Sequence, residues 1–259
     1  MKQILSAMVI LFGASLVRAE VKTRTIEYTY EGTKLVGFLA YDDAHKDKKP
    51  GVLVVHEWWG LNDYAKERAK ALAKLGYVAF CPDMYGEGAT TEHPEDAGKM
   101  STLVRNNVKI WQGRANAGLK ILASQPEVDS SKLAAIGYCF GGSTALELAY
   151  SGANLKAVCT FHAGLPTPSE TDAKAIKAKV LVCNGADDTF VSAASIKNFK
   201  AALTQAGVDL QFENYPGAVH SFTVAEADKR KLPGMAYNKA ADEKSWQQMQ
   251  DLFHKVFAK

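Results

Sequence analysis

The sequence GYCFGG at residues 137–142 constrains this chain more than any other feature. The apolar run at 133–136 predicts a short buried strand, and the run at 143–149 predicts a helix. A sharp turn between strand and helix holds its central residue in a strained conformation, so neighbouring side chains must be absent. Gly137 and Gly141 flank Cys139 and leave that room. The segment therefore predicts a nucleophile elbow that carries cysteine where serine is usual.

The first residues have the pattern of an export signal. Lys2 gives a positive start, residues 4–17 are mostly apolar, and Ala19 fits a small-residue cleavage site before Glu20. We therefore predict a signal peptide at 1–19 and a secreted or periplasmic protein, with an uncleaved anchor or a buried first helix as the alternative. No later apolar run reaches the roughly 20 residues of a membrane span, so no membrane association is expected after signal removal.

The remaining residues, 20–259, suit a single large α/β domain. The net charge of the whole chain is only +3, and no cluster of Lys and Arg with interleaved aromatic residues is present in the sequence. Nucleic acid is therefore not an expected partner.

The cysteines lie at or near the ends of apolar runs, which favours buried thiols or a catalytic thiol over disulfides. A disulfide among Cys81, Cys159 and Cys183 stays open at this point, because an exported protein can form one. The Cys and His spacings are not those of a zinc site, and neither a metal nor a cofactor is expected.

Apolar strand-like runs alternate with helical patterns along most of the chain, which predicts a mostly parallel sheet covered by helices on both faces. The polar loop at 82–96 has the glycine and proline content of a mobile lid. The predicted strands are 25–30 and 34–41, which form a hairpin, then 51–56, 77–81, 133–136, 157–161, 180–183 and 210–213; the predicted helices are 62–75, 97–125, 143–149, 193–206 and 242–257.

A cysteine nucleophile needs a base to take its proton and an acid to orient that base. Three histidines follow Cys139. His254 falls in the predicted C-terminal helix, and His162 directly follows a strand and is a second candidate. His220 lies in a turn-rich loop after the last strand, where the base belongs when the chain order is nucleophile, acid, histidine.

The acid is expected in the segment NGADDTFV at 184–191, which follows a strand directly. Either Asp187 or Asp188 could orient His220, and the residue pattern by itself does not choose between them.

These motifs resemble, in order, those of the dienelactone hydrolase family of α/β-hydrolases. The family has a GYCxGG elbow, a GxxDxxV acid loop and a histidine loop that this chain matches with VHSF at 219–222. Two further segments, HEWWGLN at 56–62 and CPDMYG at 81–86, also match, so the resemblance covers nearly all of 20–259. It implies an α/β-hydrolase fold and the triad Cys139, His220 and Asp188, which would hydrolyse small esters or lactones through a thioester.

The resemblance also implies roles for groups around the thiol. Glu57 corresponds to a glutamate that contacts the resting thiol until substrate displaces it. The alternative is that Glu57 is a buried glutamate that only forms hydrogen bonds with the backbone. The backbone N–H groups of Trp58 and Phe140 correspond to the oxyanion hole. Aromatic side chains near these motifs are expected to bind substrate: Trp59, Tyr85, Tyr138, Phe190 and Phe222.

The chain differs from the family at a residue that binds the carboxylate of the substrate. Family members bind that group with arginines, and this chain has Val224 at one of these positions. The second arginine corresponds to Arg105 or Arg114, and dienelactone itself is in doubt as substrate. We expect a small ester or lactone and a monomer or homodimer; the alternative is a non-enzymatic or weakly active protein that uses the elbow as a ligand pocket or a redox-sensitive thiol.

Overall fold

One eight-stranded sheet, covered by helices on both faces, forms the body of the protein. The computed structural model describes residues 20–44 and 47–258, so the predicted signal peptide lies outside the described residues. The strands are β1 (Val21–Tyr30), β2 (Thr33–Asp42), β3 (Lys49–Val55), β4 (Val78–Cys81), β5 (Val128–Tyr138), β6 (Ala157–Phe161), β7 (Lys179–Gly185) and β8 (Leu210–Tyr215).

The helices occupy most of the connections between the strands. Within the described residues no helix is long and apolar enough to cross a membrane. The helices are α1 (Asp63–Lys74), α2 (Pro94–Arg105), α3 (Val108–Ala123), α4 (Phe140–Tyr150), α5 (Glu170–Ala175), α6 (Ala193–Gln205) and α7 (Lys239–Phe257), and a 3₁₀ turn covers Ala227–Arg230.

The strand order is β1-β2-β4-β3-β5-β6-β7-β8. The β1–β2 hairpin and the β2–β4 pair are antiparallel, and all the other pairs are parallel. The carboxyl ends of the parallel strands therefore share one edge of the sheet, where α/β proteins place their functional loops.

Alternate residues of the central strands enter two separate cores, which confirms the predicted two-faced sheet. Leu53, Val158 and Val182 pack with α3, α4 and α6 on one face. Val54 and Leu181 pack with α1 and α7 on the other face. Burial of both faces explains why these strands read as nearly continuous apolar runs.

The single helix predicted at 97–125 is wrong, because the chain forms α2 and α3 with a break at Asn106 and Asn107. Asn107 has an extended backbone, and its side chain accepts a hydrogen bond from the Ile110 N–H at 3.2 Å. Asparagine stabilises such a helix start better than it stabilises a helix interior. The short helix α5 was not predicted at all; Ser169 caps it.

Three of the cysteines are buried free thiols, and Cys139 is a half-buried free thiol. Cys159 and Cys183 lie on neighbouring strands, but Cys159 is in register with Leu181 and Cys183 with Phe161. The disulfide left open from the sequence is therefore not formed in this structure.

The loop predicted at 82–96 is anchored to the sheet through Asp83. This fully buried carboxylate accepts four backbone N–H hydrogen bonds, from Val36, Tyr85, Gly86 and Gly88, at 2.8–3.1 Å. The end of the loop becomes helix α2 at Pro94. These contacts favour a fixed loop over a mobile lid.

We expect Asp83→Asn to destabilise the fold by about 2–4 kcal/mol, because one carboxylate oxygen is replaced by an N–H₂ group that faces backbone donors. Urea denaturation of the purified protein measures this change. Asp251→Asn, at an exposed position on α7, serves as the matched control. A loss no larger than that of the control would show that the four hydrogen bonds do not hold the loop.

Candidate active site

Cys139 occupies the turn between β5 and α4, with φ 52° and ψ −117°. Its N–H donates to the Phe161 carbonyl at 3.0 Å, which ties the turn to the neighbouring strand. A Cβ atom on Gly137 would overlap the carbonyl oxygen of Gly141, and one on Gly141 would overlap that of Val55. The predicted elbow geometry is therefore present, and it depends on both flanking glycines.

His220 and Asp188 meet at this edge of the sheet. His220 Nδ1 lies 2.8 Å from Asp188 Oδ2, and both side chains are buried. The other carboxylate oxygen of Asp188 accepts the Phe190 N–H at 2.8 Å. Asp187 is exposed, so the structure resolves the choice that the sequence left open in favour of Asp188.

The electrostatic surroundings of His220 favour its protonated form. Burial lowers the pKa of His220, but charge on Cys139 and the hydrogen bonds with Asp188 and Cys139 outweigh this effect and raise it to about 10. An imidazolium beside a thiol stabilises the thiolate. The surroundings of His220 therefore favour a positively charged imidazole beside the Cys139 sulfur.

The two other candidate histidines do not take this position. His254 is exposed on α7. His162 is fully buried and hydrogen-bonded to Thr223 rather than to a carboxylate. Burial lowers the pKa of His162 far below its ordinary value, which makes it a poor proton acceptor.

Glu57 follows β3 and is 1% exposed. Its Oε1 accepts a hydrogen bond from the Ser221 hydroxyl at 3.3 Å, and its Oε2 has no partner among the residues that the structure describes. Burial raises the pKa of the Glu57 carboxyl, although charges on His220 and Arg230 act in the opposite direction. The carboxyl group is thus held by a side chain, next to the histidine loop, with one oxygen uncommitted.

The two amides predicted for the oxyanion hole lie at the same edge. Phe140 is the first residue of α4, where a backbone N–H has no acceptor within the helix. Trp58 follows Glu57, and its carbonyl, which belongs to the next peptide group, accepts a hydrogen bond from the Tyr85 hydroxyl at 3.0 Å. Their role toward an oxyanion stays a prediction.

A cavity of about 460 Å³ opens onto Cys139 and His220. Its walls are mainly aromatic and aliphatic, with Arg105 as a cation on the wall. The other wall residues come from several separate segments: Trp58, Trp111, Ser143, Gly164, Leu165, Pro166, Phe190, Ser195 and Met235.

Of the five side chains predicted to bind substrate, only Phe190 lines this cavity. Tyr138 and Phe222 are fully buried, and Trp59 is 2% exposed. Tyr138 lies in the core against α1 and α7 because side chains of a strand alternate between the two faces of the sheet. Tyr85 packs behind Phe140, with ring centroids 5.5 Å apart, and does not line the cavity.

The structure also separates the two candidate arginines. The Arg114 guanidinium donates to the carbonyls of Met84 and Tyr85, both at 2.8 Å, so it stabilises the loop after β4. Arg105 lines the cavity and lies over the Phe140 ring at 5.3 Å. Trp111, which also lines the cavity, was not predicted as a site residue because it lies inside the helix predicted at 97–125, where an aromatic residue is most often part of the core.

The described residues hold no group of three or more His, Cys, Asp or Glu side chains arranged to bind a metal ion. The sheet topology, the elbow and the His220–Asp188 pair together define an α/β-hydrolase.

The sequence profile of the dienelactone hydrolase family matches residues 35–257, and the chain belongs to that family, whose members are hydrolases. Protein usf of Aquifex pyrophilus is 30% identical over 201 residues, covering 76% of this chain and 85% of that protein. A dienelactone hydrolase-like promiscuous phosphotriesterase from metagenomic libraries has a similar structure, with a TM-score of 0.89 and 40% identity over 92% of this chain and 99% of that one. The solved structure named m3DLH has a TM-score of 0.89 and 44% identity, covering 91% of this chain and 98% of that one.

We expect Glu57→Gln to raise the melting temperature by a few degrees at pH 8 and to have less effect at pH 5. Because the pKa of Glu57 is raised in the folded state, its contribution to stability is complete below the unfolded value of 4.5 and is lost as the pH rises through the folded value. Glutamine keeps the size and cannot ionise. Thermal melts followed by circular dichroism test this, with the exposed Glu95→Gln as control; a lower melting temperature at pH 8 would contradict it.

Proposed function

We propose that this protein hydrolyses small carboxylic esters or lactones through a thioester formed on Cys139. The observation that carries the proposal is the elbow cysteine next to a buried histidine whose Nδ1 lies 2.8 Å from Asp188. Family membership supports hydrolysis in general, and the residues of the site support this particular mechanism.

In the first half of the reaction, the Cys139 thiolate attacks the ester carbonyl carbon, and the carbonyl electron pair moves onto oxygen. The N–H groups of Phe140 and Trp58 bind the resulting oxyanion. Collapse of this intermediate breaks the C–O bond, and the leaving alcohol takes the proton from the His220 imidazolium. The acyl group remains on sulfur as a thioester.

In the second half, His220 takes a proton from water, and the hydroxide attacks the thioester carbon. The second oxyanion collapses with loss of the Cys139 thiolate, which releases the carboxylic acid and restores the thiolate–imidazolium pair. Asp188 fixes the orientation of His220 through both steps and stabilises its positive charge.

We assign Glu57 to the control of the resting thiol. Its buried carboxyl, with one uncommitted oxygen, has a raised pKa and stands beside the loop that carries His220. A carboxyl that contacts the sulfur before substrate enters would disfavour the thiolate relative to the thiol, and a sulfur with less thiolate character resists oxidation.

The cavity supports a substrate with an apolar or aromatic acyl or alcohol part. Its volume of about 460 Å³ is within the range of small-molecule sites, and Trp58, Trp111 and Phe190 provide flat apolar contacts. Arg105 on the cavity wall favours substrates that also carry a negative charge, even though Val224 replaces one arginine of the family.

We expect Cys139→Ala to reduce kcat for aryl esters and lactones by roughly a thousandfold or more, because the covalent intermediate can no longer form. A panel of such substrates, followed by release of the phenol or by acid production, measures this loss. Cys81→Ala removes a buried thiol outside the site and is the matched control. Full turnover by Cys139→Ala would disprove the nucleophile, and alkylation of Cys139 without turnover of any substrate would favour a redox-sensitive or binding role.

We expect Arg105→Met to raise KM about tenfold for an ester that bears a carboxylate, with little change for its neutral isostere. Methionine keeps the apolar part of the side chain and removes the charge. Comparison of the paired substrates cancels general effects on folding. Equal changes for both substrates would show that Arg105 does not recognise charge.

A further inference from the structure

His162 has unusual features that the catalytic steps above leave unexplained. It follows β6 directly, is fully buried, and has a positive φ of 40°. Its Nδ1 has no hydrogen-bond partner among the described residues. Positive φ at a residue with a side chain and a buried, unpaired ring nitrogen both cost free energy. A residue needed only to fill the core would be apolar.

The ring of His162 packs directly against the catalytic base. The centroids of His162 and His220 lie 5.2 Å apart in an edge-to-face arrangement. On another side of His220 the ring of Phe190 lies at 4.9 Å, but Phe190 is 56% exposed. His162 therefore provides the buried aromatic wall against which the His220 imidazole rests.

His162 also contacts the histidine loop a second time, through a hydrogen-bonded chain. Its Nε2 lies 2.8 Å from Thr223 Oγ1, and that hydroxyl lies 2.6 Å from the Tyr64 hydroxyl. Arg68 donates from Nε to the Tyr64 hydroxyl at 3.2 Å and from Nη2 to the Thr223 carbonyl at 2.6 Å. Thr223 is three residues after His220, so this chain fixes the loop that carries the base.

The far end of the chain is anchored by an ion pair. Arg68 Nη2 lies 2.6 Å from Asp242 Oδ1, and both side chains are largely buried. Removal of either partner of such a pair is strongly destabilising, because it leaves a buried charge unpaired. The hydrogen-bonded chain therefore connects His162 to rigid positions on α1 and α7.

We infer, on the basis of the proposed hydrolase function, that His162 is a positioning residue that holds the His220 imidazole in line with Cys139 and Asp188 through its ring contact and its hydrogen bond to Thr223.

The charges around the two histidines agree with positioning rather than proton transfer. His220 is influenced by Asp188, Cys139 and Glu57. The groups that face His162 are His220 and Arg68, together with the phenols of Tyr64 and Tyr138 through the chain and the neighbouring ring. Burial, then the positive charges of His220 and Arg68, lower the pKa of His162, so it stays neutral and does not compete for the proton.

The test uses two measurements: the pH midpoint of Cys139 alkylation by iodoacetamide, which reports the thiolate–imidazolium pair without any ester, and kcat and KM for a small aryl ester. We expect His162→Phe to raise the alkylation midpoint by about one pH unit and to lower kcat about tenfold with KM little changed, since one positioning hydrogen bond is lost.

Conservative and matched variants separate positioning from packing. His162→Gln keeps an amide within reach of Thr223 and should restore most of kcat. Thr223→Val should lower kcat at least as much as His162→Phe, because it removes the hydrogen bond to His162 and also the one to Tyr64. The double variant should be no worse than Thr223→Val, because both substitutions remove the His162–Thr223 hydrogen bond. His254→Phe, at an exposed position, should match the wild type.

Wild-type midpoint and kcat in His162→Phe would overturn the inference. If that variant does not fold, Thr223→Val decides in its place, and wild-type values there overturn it equally. A lower melting temperature with unchanged midpoint and kcat would assign His162 a purely structural role. Ester turnover that survives Cys139→Ala would instead refute the proposed function, and the alkylation midpoint would still test whether His162 positions His220.

Discussion

The positive φ of Cys139 is the constraint on which the rest of the site depends. A residue with a side chain adopts this conformation at a cost of about 1–3 kcal/mol, so the surrounding structure must enforce it. The Cys139 N–H is committed to the Phe161 carbonyl, and the Cys139 carbonyl accepts the Gly142 N–H at 3.0 Å. The turn that results leaves Cys139 on the cavity wall and starts α4 at Phe140.

Because the central strands run parallel, the loops that follow them bring the other groups of the site to one edge of the sheet. Glu57 follows β3, His162 follows β6, and the loops after β7 and β8 carry Asp188 and His220. Each group is separated from the next by a whole helix in the sequence, yet all lie at the same edge because the strands run in one direction. Hydrogen bonds with Thr223 and Asp188 then set the orientation of the two rings.

The sequence predicted the parts of this arrangement that depend on local chemistry. The elbow, the hairpin and the acid and histidine loops have local patterns that few other structures accept. The cavity wall was predicted poorly, because Trp111, Leu165 and Met235 meet only after distant segments pack together. The orientation of Tyr138 could have been predicted, because neighbouring residues of a strand, such as Gly137 and Tyr138, face opposite sides of the sheet. The break at Asn107 could not, because the helical pattern of the sequence continues through this residue and competes with its role as a helix cap.

The Asp83 carboxylate also connects the active site to a part of the chain that lies far from it in the sequence. It bonds the Val36 N–H in β2 and the Tyr85 N–H in the loop, and the Tyr85 hydroxyl in turn holds the Trp58 carbonyl. The N-terminal hairpin, which contributes no side chain to the cavity, is thus connected to a wall of the site through three hydrogen bonds. A catalytic core defined by sequence motifs alone would begin at β3 and would leave out the strand that supports this wall.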